Sequence, residues 1–144
     1  MKVTIFILLT LLSFCTQARD MPSFEMMNNT AGSFFIGSPS IKYGYFIYTD
    51  NNKSYLVLQT LVTYNSNEPV WEYTDFIQIS KHEEPYRLIL SACELDGEID
   101  DTIAAIVNIA GKKVSSDVLQ AWALNTEKKR IQEIPTTGIS CVND

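Results

Sequence analysis

The feature that most restricts this chain is its rhythm. Short segments rich in Ile, Val, Tyr and Phe recur at about ten-residue spacing, separated by Gly, Pro, Asn and Asp clusters, and the pattern implies strands joined by turns. The run "SYLVLQTLVTY" (54–64) is apolar on both faces at its centre, as a central strand covered on two sides must be. "IKYGYFIYT" (41–49) precedes it across Asp50-Asn51-Asn52-Lys53, a turn cluster, so the two segments should form a hairpin. Gly44, inside the first, suggests a bulge or a close backbone approach.

The other segments follow the same logic. "SFFIG" (33–37) is a short strand ended by Gly37-Ser38-Pro39. "VWEYTDFIQIS" (70–80) alternates, with Trp71, Tyr73, Ile77 and Ile79 expected on the inward face and a change of face near Asp75. "YRLILSAC" (86–93) is a strand, and "ELDGEIDD" turns on Asp96-Gly97. "TIAAIVNIA" (102–110) and "DVLQAWAL" (117–124) each read as strand or helix. Strand is preferred in the first because Ile and Val dominate, and in the second because "VLQAWALN-TEKK-RIQEI" makes a hairpin with a four-residue connection. "ISCV" closes the series. Seven or eight strands of this kind imply a mainly β fold, an antiparallel meander sheet or half-barrel with one or two short helices. An α+β sheet with one helix across a face is the alternative.

The first eighteen residues have another purpose. Lys2 is a short positive region, "VTIFILLTLLSF" an apolar region of secretory length, and Thr16 and Ala18 occupy the small-residue cleavage positions. The domain reading is therefore a signal peptide over 1–18, a leader of low order over 19–32 that allows a turn of helix around Phe24–Met27, and a single β-rich domain over 33–144. The apolar run is short for a membrane span and no second one follows, so no span is expected after cleavage. Cleavage removes Lys2 and no acid, so the formal charge goes from −6 to −7. So acidic a chain is a poor ligand for nucleic acid, where each phosphate contact needs a Lys or Arg, and a good one for a basic protein.

With Cys15 gone, Cys93 and Cys141 remain, an even count in an exported chain, and a disulfide is the default. Two cysteines and one histidine, apart in sequence, supply no tetrahedral metal set, and no cofactor motif is present. His82, in "SKHEEP", is the one histidine, with no nucleophile-elbow pattern beside it. A small hydrolase built on His82 is thus the weakest of three readings. The acidic turn lacks the terminal Glu and flanking helices of an EF-hand.

The frame "CELDG … DDTIAAIV … QAW … IPTTGISC" resembles that of small exported proteins of Gram-negative bacteria, over about the last 50 residues. The resemblance implies a periplasmic home and a Cys93–Cys141 disulfide, and carries no activity with it. The leading expectation is a non-enzymatic periplasmic or secreted protein of the inhibitor or immunity type, holding a basic partner. Its expected contacts are Glu94, Asp96, Glu98, Asp100 and Asp101 in one loop and His82, Glu83 and Glu84 in another. The alternative is a structural or accessory part of a cell-envelope assembly, joined through exposed tyrosines and an open strand edge.

Overall fold

A computed structural model describes residues 20–37, 40–50, 52–125 and 127–143. The expected signal peptide, with Cys15, lies outside the described residues. The fold is mainly β and antiparallel, in three four-stranded sheets that do not close into a barrel.

The first sheet is a meander of β1 (Asn28–Gly37), β2 (Ser40–Asp50), β3 (Lys53–Asn65) and β4 (Glu68–Ile79) in chain order. Ser66 and Asn67, both at positive φ, make the two-residue turn of the β3–β4 hairpin, as the right-handed strand twist favours. The second sheet has the order β11 (Arg130–Ile134), β10 (Val118–Asn125), β8 (Ile103–Asn108), β5 (Tyr86–Leu90). The third is small: β7 (Glu98–Ile99), β6 (Cys93–Leu95), β12 (Ile139–Val142) and β9 (Val114–Ser115).

The sheets stack in three layers, and alternation along each strand divides the core accordingly. Leu56 and Leu58 of β3 meet Ala104, Ile106, Trp122 and Leu124 between the first and second sheets. The intervening residues of β8 and β10, Ile103, Ala105, Val107 and Ala121, meet the two cysteines and Ile139 of the third sheet. β8 is therefore buried on both faces, which is why its sequence is apolar without alternation. Tyr55 and Val57 of β3 point the opposite way, into an aromatic cluster on the outer face of the first sheet.

That cluster changes the reading of the N-terminal region. Instead of low order over 19–32, the described part carries a 3-10 turn at Phe24–Met26 and the first residues of β1. Phe24 is buried among Tyr48, Tyr55, Tyr73 and Phe76, with ring centroids 5.3–5.7 Å away. One large aromatic in a polar stretch is enough to dock it, because burying a ring removes much apolar area from water.

Other differences have local causes. The change of face in β4 is real and lies at Thr74, the residue left unpaired between Tyr73↔Gln59 and Asp75↔Leu58. Trp71 and Tyr73 consequently join the Phe24 cluster while Ile77 and Ile79 face the second sheet, so the four share no single inward face. The irregularities of the β1–β2 pair fall at Thr30 and Lys42, not at Gly44. At Gly32 a Cβ would lie 3.0 Å from the Phe46 ring, a close approach within the same pair of strands. The expected strand 86–93 is two strands, broken at Ser91, whose φ is 55°, so that the chain leaves the second sheet for the third.

Candidate functional site

The acidic stretch forms a tight hairpin. β6 and β7 pair Glu94↔Ile99 and Leu95↔Glu98, and Asp96 and Gly97, at φ 53° and 84°, make the two-residue turn. One backbone contact ties it to the loop before β12 and two close its own base and exit. Asp96 N–H donates to Gly138 O (2.8 Å), Asp100 N–H to Cys93 O (3.0 Å), and Ile103 N–H to Asp100 O (3.2 Å). The Cys93–Cys141 disulfide lies at its base, joining residues directly opposite each other on β6 and β12. The Val142 N–H donates to Ala92 O (2.9 Å), so the cysteines occupy the adjacent non-hydrogen-bonded pair, where opposed side chains come closest. Both are buried against β8 and β10.

The five expected acids do not play one part. Asp100 is half-buried, and its carboxylate accepts from Thr102 N–H (2.9 Å) and Thr102 Oγ1–H (2.6 Å), closing the turn into β8. Its charge also falls on Tyr45. Burial first, then the Asp100 and Asp75 carboxylates, hold that phenol well above the ordinary tyrosine range. Asp96 lies across Gly138. Glu98 and Asp101 are exposed and Glu94 half-exposed. Among the described residues none of these carboxylates has an ion pair, the Glu84–Arg87 contact (3.2 Å) being the one present. Ile99 stands among them 77 % exposed.

The second expected contact loop is elsewhere. β5 and β8 run antiparallel, with Leu90 opposite Ala104 and Tyr86 opposite Asn108. Residues 81–84 lead into Tyr86, while 94–101 lead into Ile103. The two loops therefore lie at opposite ends of β8, about 17 Å apart at about 3.4 Å per residue. Glu83 and Glu84 are exposed, and Glu84 is held by Arg87. His82 is half-buried, 6.3 Å from Tyr86 between ring centroids, and lines a cavity of about 210 Å³.

Sequence reasoning named one wall of that cavity and missed the rest. Thr30, Thr49, Ser54 and Ser80 arrive from β1, the β2–β3 hairpin and the end of β4, and only the stacking of two sheets brings them to His82. A larger groove, about 610 Å³, is lined by Tyr55 and Phe76 of the first sheet and Trp122 of the second, beside a Gln120–Glu133 hydrogen bond of 3.0 Å. Among the described residues no group of His, Cys, Asp and Glu is placed to hold a metal ion, and no helix is long and apolar enough to cross a membrane. No protein-family model matches the chain, and no curated protein matches it.

Proposed function

We propose that this is a non-enzymatic periplasmic binding protein of the inhibitor or immunity type, and that the Glu94–Asp101 hairpin is its contact surface for a basic partner. The observation that carries the reading is the hairpin itself: Glu94, Asp96, Glu98 and Asp101 carry no ion pair among the described residues and surround an exposed Ile99. Unneutralised charge speeds capture of an oppositely charged surface, and an apolar residue within a polar rim is what a contact patch needs to slow release. The disulfide and the anchoring hydrogen bonds hold the hairpin in shape, so little ordering entropy is lost on binding. The test is retention from periplasmic extract on the immobilised protein, with the triple variant Glu94→Lys, Glu98→Lys, Asp101→Lys as control. A basic protein retained at low salt, and lost on charge reversal, is the expected result. Retention of no basic protein at either low or moderate salt overturns it.

One observation favours a second reading, an accessory component of an envelope assembly. β1 is ten residues long and among the described residues pairs with β2 alone, and the first sheet does not close. A long open edge offers unpaired backbone groups to an added strand. A photo-crosslinker at exposed Ala31 would join an envelope protein under this reading and would join none if the edge is idle.

A further inference from the structure

The groove of about 610 Å³ passes round the edge of β4. Tyr55 and Phe76 belong to the aromatic cluster on the outer face of the first sheet, while Ile77 and Trp122 belong to the core between the first and second sheets. The edges of β4 and β11 meet where Ile131 N–H donates to the Asp75 carboxylate (2.8 Å). Further along both strands, Ile77, Gln78 and Glu133 line the groove, and Asp20 of the N-terminal segment lines it as well. Its polar groups are open to solvent: Asp20, Gln78 and Glu133 are exposed, Gln120 is half-exposed, and Phe76 and Ile77 are half-buried.

Glu133 stands where a sandwich ordinarily carries an apolar side chain. Trp122 and Leu124 of β10 and Ile131 of β11 point toward the first sheet, as inward positions do. Glu133 lies opposite Trp122 and shares that face, and so does Gln120, two residues before Trp122 on its strand. Gln120 Nε2–H donates to Glu133 Oε1 (3.0 Å), which orients the carboxylate and leaves its Oε2 without a partner among the described residues. The backbone of Glu133 turns outward too. Ile131 N–H points away from β10, toward Asp75, and strand alternation repeats that direction two residues on, so Glu133 C=O faces away from β10.

The geometry points to a binding site for a small organic cation, an ammonium or amidinium on a short apolar body, with its charge at Glu133 and its body against Phe76 and Ile77. Of the described residues that line the groove, Asp20 and Glu133 are carboxylates and none is Lys, Arg or His, so an anionic guest meets only repulsion. Neither carboxylate has an ion pair among the described residues. An ionised acceptor makes hydrogen bonds roughly twice as strong as a neutral one, which favours an N⁺–H donor over a neutral polyol of equal size. The apolar floor in turn favours a guest with carbon to bury over a bare inorganic cation. The groove's volume falls within the roughly 300–1,000 Å³ of small-molecule sites. It is lined by none of the residues of the acidic hairpin and does not depend on the function proposed above.

The test is a titration of the ¹⁵N-labelled protein with benzylamine and benzamidine, with benzyl alcohol and benzamide as neutral counterparts and glucose as a neutral polyol. Saturable shifts at the backbone amides of Ile77, Gln78 and Glu133 are expected for at least one cation, with affinity about tenfold weaker for its neutral counterpart. Glu133→Gln, which keeps the side chain's shape, should weaken the cation by about tenfold with the fold intact by circular dichroism, and Asp20→Asn by about threefold. Glu98→Gln, in the acidic hairpin, should leave the affinity within about twofold. Absence of saturation by either cation up to about 10 mM overturns the assignment. So does equal affinity for cation and neutral counterpart, glucose bound as tightly as the cations, or a loss in Glu98→Gln as large as that in Glu133→Gln.

Discussion

Gly97 and Gly138 both turn the chain next to the acidic hairpin at nearly the same positive φ, 84° and 82°, and their surroundings differ. A Cβ on Gly97 meets nothing within 4 Å, whereas one on Gly138 runs into the Asp96 carboxylate. Gly97→Ala should therefore cost about 1 kcal/mol for backbone strain alone. Gly138→Ala should cost about 2–3 kcal/mol, since Asp96 must also move. Urea midpoints of the two variants decide the matter; equal losses would mean that Asp96 gives way freely. Tyr73 supplies a second residue-scale expectation. Its phenol is pushed up from 10.0 to about 12 by burial first and then by its hydrogen bond to Tyr48, which in turn accepts from Gln59 Nε2 (2.9 Å). Folding thus favours the neutral phenol. Its contribution is present in full below pH 10 and is lost as pH rises toward about 12, with Tyr45 shifted in the same direction. Stability measured against pH should fall in that window, and Tyr73→Phe should flatten the fall.

Among the elements, a covalent bridge ties two strands of the third sheet together, and one buried ring docks the N-terminal segment on the first sheet. The Cys93–Cys141 bridge closes a separation of 48 residues, for which the chain-entropy model gives about 4 kcal/mol. Cys93→Ala with Cys141→Ala should lower the unfolding free energy by about that amount, and more than any single hairpin substitution. Phe24→Ala should cost about 3–5 kcal/mol because it empties a socket of four rings. A loss below 1 kcal/mol in urea would show the 3-10 turn to be dispensable. These elements also mark how far a sequence is readable. Alternation and turn chemistry were enough for the β2–β3 and β10–β11 hairpins, because each is decided by residues adjacent in the chain. Phe24 was not legible, since its socket is assembled from β2, β3 and β4. Nor were β7 and β9, whose two residues each are strands only by virtue of the neighbours they pair with.

Over the whole molecule, charge and topology together decide which acids act as one surface. The sequence offers 81–84, with two acids, and 94–101, with five, together as contact loops, and nothing local separates them in space. The antiparallel pairing of β5 with β8 does, by placing them at opposite ends of a six-residue strand. A partner of ordinary size that seats on the hairpin around Ile99 leaves Glu83 and Glu84 at least a Debye length, roughly 8 Å, outside the contact, where salt screens them. Glu94→Gln, Glu98→Gln and Asp101→Gln together should slow association with a basic partner by about tenfold at low salt, and the difference should vanish as salt is raised. Glu83→Gln with Glu84→Gln should leave the rate within about twofold, since Glu84 is already engaged with Arg87 and neither faces the hairpin. Stopped-flow association rates across a salt series separate the two. Equal slowing by both sets would mean that the partner spans the length of β8, and that the surface is the side of the sandwich and not its acidic end.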